Sequence, residues 1–139
     1  MAPVQTYYTY LDPKYKFSLQ IPSWWKNYIV VKRRSLPRNS DNIIYIVSFN
    51  FKYKGKVYID AFSLVVFRMT LRKWREDGYD ESPYSFLKSR NGLIFAGSVP
   101  GEPPDEFFED EKKYRIPSRL LSRMVNDDVP KIEKSFKFV

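Results

Sequence analysis

The chain has 139 residues, is 43% hydrophobic and 29% charged, and carries a net charge of +8. Its size predicts one domain over residues 1–139 with its own core, and its composition is that of a globular chain, not a disordered one. It has no cysteine and no histidine. That excludes disulfides, thiolate nucleophiles, Cys- or His-based zinc centres, Ser-His-Asp triads and Cys-His pairs.

The charge is uneven. Residues 1–75 carry +11 and residues 76–139 carry −3. Such asymmetry can mean an anionic partner for the first half, but the plainer reading is Lys and Arg lining the solvent face of a sheet. The longest apolar-rich window, residues 61–69, is too short for a membrane span and is broken by Ser63 and Arg68. Residues 1–4 have neither the basic nor the apolar region of a signal peptide. As it stands the chain reads as cytoplasmic, and as exported or surface-attached if a leader has been removed.

In chain order, residues 6–10 predict a strand, and Asp12-Pro13 a turn. Residues 15–21 alternate apolar and polar, the pattern of a half-buried strand. Pro22 ends it, and Ser23 is placed to cap a short turn before Trp24 and Trp25. Residues 28–32 predict a strand and 35–41 a loop. The strongest signal is a long hairpin. Ile43, Tyr45, Val47, Phe49, Phe51 and Tyr53 alternate, and residues 57–68 return after Lys54-Gly55-Lys56, where Gly55 supplies a positive φ. Residues 61–67 are apolar on both faces, so both faces should be covered there.

Residues 70–76 predict a short helix with Leu71 and Trp74 on one face. Residues 82–92 predict a second, with Ser82 as N-cap, Pro83 at the first position, and Gly92 after the end. Residues 93–99 predict a strand. Residues 100–113 predict a polar loop with a helical turn near Phe107-Phe108. Residues 117–126 predict a helix with Leu120, Leu121, Met124 and Val125 as its stripe. Pro130 predicts a further helical turn capped by Asp127 or Asp128. Residues 135–139 alternate and close the sheet. The fold class is α+β, an antiparallel sheet flanked by helices.

No phosphate-binding glycine loop can be written with five separated glycines, and no motif asks for a cofactor. The acidic run over 102–111 (Glu102, Asp105, Glu106, Glu109, Asp110, Glu111) lacks the spacing of a calcium loop and reads as solvated. Asp60 is the one carboxylate inside a strongly apolar strand. Alternation puts it on a face with Tyr58 and Phe62, where it would meet a Lys or Arg across the hairpin or, less ordinarily, do acid–base work. Lys32, Arg33, Arg34 and Arg38, with Lys52, Lys54 and Lys56 at the hairpin tip and Trp24 and Trp25 near in sequence, form the candidate binding surface. Cations could take phosphates while rings stack on bases. The same residues also suit a protein interface, and Trp24, Trp25 and Trp74 suit core packing.

The run Tyr15-Lys16-Phe17-Ser18-Leu19-Gln20-Ile21-Pro22-Ser23-Trp24-Trp25 resembles the opening of PsbP-like domains and related small bacterial exported or lipoprotein domains. Ile132-Glu133-Lys134-Ser135-Phe136-Lys137-Phe138 is similar to their closing motif. The resemblance implies an α/β/α-type sandwich and a non-catalytic accessory or protein-binding role, with no catalytic residues to carry over. The resulting expectation is a non-enzymatic module with a protein partner. The alternative is nucleic acid or another polyanion held on a basic, aromatic-rich sheet face.

Overall fold

The computed structural model describes residues 5–37 and 42–139. The fold is α+β, with two antiparallel sheets flanked by helices. Strands β1 (Tyr7–Leu11) and β2 (Phe17–Pro22) pair with a short β8 (Lys137–Phe138) in the order β1-β2-β8. Strands β3 (Ile29–Ser35), β4 (Ile43–Tyr53), β5 (Lys56–Arg68), β6 (Ser85–Arg90) and β7 (Leu93–Ser98) form the larger sheet in the order β3-β4-β5-β7-β6. The closing strand therefore completes the smaller sheet beside β2, whereas the sequence predicted a single sheet. Arg38 and most of the loop predicted over 35–41 lie outside the described residues.

The β4–β5 hairpin forms as predicted. Its two turn residues, Lys54 and Gly55, have φ of 49° and 80°. Positive φ at both central positions makes a type I′ turn, whose twist matches that of the strands.

Tyr45, Val47, Phe49 and Phe51 of β4 face the main core with Phe62, Leu64 and Val66 of β5. Phe17, Leu19 and Ile21 of β2 close over them. Trp25, Leu121, Met124, Val129 and Ile132 complete that cluster. The opposite face of the larger sheet carries a second cluster, in which Val65, Phe67, Ile94 and Ala96 pack under Trp74. Trp74 comes from helix α1 (Leu71–Glu76), which starts where Thr70 Oγ1 accepts the Lys73 N–H at 3.1 Å. Residues 61–67 are buried on both faces, as their composition predicted.

The helix predicted over 82–92 is instead strand β6. Ser82 does not cap a helix. Its Oγ donates to the Tyr79 carbonyl at 2.6 Å and accepts from the Tyr84 N–H at 3.2 Å, which closes a local turn. Asn91 and Gly92, at φ 51° and 76°, then form a second type I′ turn. Pairing with β7 buries one strand edge, and Tyr84 and Phe86 add to the ring cluster around Trp74. A helix there would leave one edge of β7 unpaired, since β5 holds the other.

Helix α2 (Asp105–Glu109) is the turn predicted near Phe107. Helix α3 (Arg115–Arg123) runs through a π turn at Met124–Asp128 into α4 (Val129–Lys134). In the π turn the Val129 N–H bonds the Met124 carbonyl five residues back. The wider turn comes just before Pro130, which has no N–H and would crowd the carbonyl four residues earlier in a regular helix. Neither Asp127 nor Asp128 caps α4 through its side chain.

One close approach depends on glycine. The Glu133 carboxylate, half-buried and held by a hydrogen bond with Ser85, lies directly against Gly97 of β7. Burial pushes its carboxyl above the ordinary 4.5. A Cβ at position 97 would meet that carboxylate and also stand 3.0 Å from a Phe62 ring carbon. Gly97→Ala is expected to lower stability by about 1–3 kcal/mol. Adding Glu133→Ala should recover only part of this, because Phe62 cannot move aside. Denaturant melts of the two variants check it.

Candidate functional site

The candidate surface divides once the strands are paired. Val31 and Arg33 sit opposite Phe49 and Val47, on the core side of the sheet. Val30, Lys32 and Arg34 therefore point outward, opposite Asn50, Ser48 and Ile46. Ser48 pairs with Ser63 on β5, and Ser63 with Ser98 on β7. The result is a row Lys32–Ser48–Ser63–Ser98 across four strands, with Val30–Asn50–Asp60 beside it and Lys52 beyond.

Within this face Ser63 Oγ donates to Asp60 Oδ2 at 2.8 Å, and Asn50 Nδ2 donates to the Val30 carbonyl at 3.2 Å. No aromatic side chain projects from these β3, β4 and β5 positions. Lys32, Arg34 and Lys52 have no ion pair among the described residues. Strand β3 is also an edge of the sheet, where charged side chains discourage edge-to-edge pairing.

Asp60 reaches this face because β5 is bulged. Phe49 pairs with Phe62, but Asn50 pairs with Asp60, so Ala61 is an extra residue. The bulge turns Asp60 to the side opposite Phe62, which overrides the simple alternation. Its partner is Ser63, not a cation across the hairpin. Five clefts of about 270–470 Å³ indent the surface, and Asp60 lines none of these five.

The other predicted surface residues are used elsewhere. Trp25 is fully buried and Trp24 half-buried, and both donate their indole N–H to Asp128 Oδ2 at 2.9 Å. The Arg123 guanidinium covers the Trp24 ring at 4.5 Å. Arg33 hydrogen-bonds the Tyr10 phenol, whose own hydroxyl donates to Asp12. Lys54 lies over the Tyr53 ring at the hairpin tip. Lys56 pairs with Glu106 at 2.6 Å, which raises its pKa, and so ties the hairpin tip to α2. Among the described residues, no three acidic side chains converge as a metal site would need, in the 102–111 run or elsewhere.

Two groups of consequence were not recognised in the sequence as partners. Asp12 and Asp128 are buried carboxylates, the first accepting four donors and the second two. The polar positions 48, 50 and 52 between the β4 apolar residues were visible as an alternating face; their row with Ser63 and Ser98 depends on register. No described helix is long and apolar enough to cross a membrane. Comparisons of the chain with protein-family models, with curated proteins and with solved structures return no match.

Proposed function

We propose that the chain is a non-catalytic binding module that holds an acidic protein segment against the β3–β4 part of the larger sheet's outer face, beside the part that Trp74 covers. The observation that carries this reading is the placement of Lys32, Arg34 and Lys52 on one face with no ion pair among the described residues, beside the hydrogen-bonding groups of Ser48 and Asn50. Cations of this kind steer an anionic partner and fix its register, while hydroxyls and amides supply specificity.

The second reading, a single-stranded nucleic acid or other polyanion, rests on the same cations. It is the weaker of the two because base stacking needs rings beside the phosphate-binding groups. Here Trp24 and Trp25 are turned to Asp128 and the core. The resemblance to PsbP-like domains belongs with this proposal. It is supported by its two end motifs, which form β2 with its following 3₁₀ turn (Ser23–Asn27), and α4 with β8.

The test is equilibrium binding of a labelled Glu-rich peptide and of labelled oligo-dT, each at low and at physiological salt. Lys32→Ala/Arg34→Ala/Lys52→Ala is expected to weaken peptide binding by about tenfold or more with its melting midpoint unchanged. Tighter, strongly salt-dependent binding of oligo-dT, lost in the same variant, would favour the polyanion reading. Absence of binding to both at low salt would remove the face as an anion-binding surface.

A further inference from the structure

A second basic site lies where the β1–β2 turn meets the β6–β7 turn. A cleft of about 300 Å³ opens there, and its rim carries Lys14, Lys16 and Arg90. Its apolar wall is made by Tyr15, Leu93, Phe95 and Phe138. Asn91 and Val139 complete the lining, and among the described residues no Asp or Glu side chain joins it. None of its residues belongs to the open sheet face.

The two turns that bear the cations are fixed. In the first, Asp12 Oδ2 accepts the Lys14 and Tyr15 N–H groups at 3.1 and 2.7 Å. Lys16 is held at φ 54°, and its carbonyl accepts the Val139 N–H at 3.0 Å. A lysine in the left-handed region is uncommon and costs about 1 kcal/mol, so the surrounding bonds hold it there. The second is the type I′ turn at Asn91-Gly92, which follows Arg90 directly.

The cations are not equally committed. Lys14 donates to Ser35 Oγ at 2.6 Å and lies near the Tyr15 and Tyr45 rings. Arg90 lies 4.8 Å over the Phe138 ring. Neither Lys16 nor Arg90 has an ion pair among the described residues. Two cations with no ion pair among the described residues, on rigid turns at the mouth of an aromatic-walled cleft, suit a ligand that is charged at one end and flat at the other.

We propose that this cleft binds a small organic anion, a carboxylate, sulfonate or phosphate carried on a flat apolar body. Lys16 and Arg90 take the charged group, and Tyr15 and Phe138 receive the body.

The probe is 2-naphthoate, titrated into isotope-labelled protein and followed by amide chemical shifts. Saturable shifts at Tyr15, Asn91 and Phe138 are expected, with 2-naphthalenemethanol and inorganic phosphate each binding about tenfold more weakly or not at all. Lys16→Asn keeps the left-handed turn and removes the charge. With Arg90→Gln it should weaken naphthoate binding by about tenfold or more, while shifts elsewhere stay as in the wild type. Arg90→Lys should restore much of the loss in the single Arg90→Gln variant. The proposal is overturned by any of three results. One is no saturable shift up to about 10 mM naphthoate, well above what a site of this kind requires. Another is equal binding of the neutral alcohol or of phosphate alone. The third is undiminished binding by the double variant.

Discussion

Replacing Asp12 by Ala is expected to be the most destabilising single polar substitution in the chain. Asp12 is 2% exposed, and its two oxygens serve four donors. Oδ1 accepts the Tyr10 and Tyr45 hydroxyls, each at 2.8 Å, and Oδ2 accepts the Lys14 and Tyr15 N–H groups. Alanine would leave two buried phenols and a turn backbone without an acceptor. At 1–3 kcal/mol for each buried group left unpaired, partly relieved by water at the turn, the loss is about 4 kcal/mol. For a domain of this size that lowers the melting midpoint by roughly 10 °C. Asp12→Asn keeps one acceptor and should lose about half as much. A melt of Asp12→Ala within a degree or two of wild type would show that the four donors find other partners.

The same cluster sets the response to alkali. Burial, with Asp12 as a further cause, pushes the Tyr10 hydroxyl up to about 12 and raises Tyr45 as well. The ordinary value is 10.0. A phenol whose folded pKa is raised contributes stability that is complete below pH 10 and is lost as pH rises through the folded value. Stability should therefore fall from about pH 10 upward. Tyr45→Phe should flatten that fall, and absorbance titration of the folded protein should show late-titrating tyrosines. An unchanged alkaline limb in both Tyr10→Phe and Tyr45→Phe would count against this assignment.

The second large effect concerns Asp128. It is 5% exposed and joins the π turn to the 3₁₀ turn bearing Trp24 and Trp25. Asp128→Ala should cost about 3 kcal/mol, since Trp25 is sealed in the core and its N–H would have no other acceptor. Trp24 is half-exposed and can turn to water. The contributions separate in a double-mutant cycle with Trp25→Phe, where Asp128→Ala should cost about 1–2 kcal/mol less than in the wild type. Indole N–H exchange gives an independent reading. The Trp25 signal should be slow in the wild type, and both indoles should exchange faster in Asp128→Ala. Additive costs in the cycle would mean that the indole bonds contribute nothing beyond packing.

The candidate surface is a lesson in what alternation can and cannot give. Lys32, Arg33 and Arg34 are adjacent in sequence, and a strand must send the middle one to the other face. Which face is open depends on what packs against each, and that comes from β2, α3 and α4 at distant positions. Parity assigns Asp60 to the Phe62 face, and one bulge residue reverses it. Ser82-Pro83 and Gly92 are as good a frame for a helix as for a turn and a hairpin. The adjacent β7 edge and the Asn91-Gly92 turn decided between them.

What the sequence determined by itself was local. Apolar alternation placed β2 and the β4–β5 hairpin, Thr70 and Leu71–Trp74 spacing placed α1, and the absence of Cys and His removed whole classes of chemistry. These follow from periodicity and side-chain chemistry, which act over a few residues. Tertiary structure alone decided that there are two sheets, that Asp12 and Asp128 are buried acceptors, and that Lys32, Arg34 and Lys52 share a face. Each of those joins residues far apart in the chain, Asp12 to Tyr45 and Asp128 to Trp25 among them, and no local pattern records the register that brings them together.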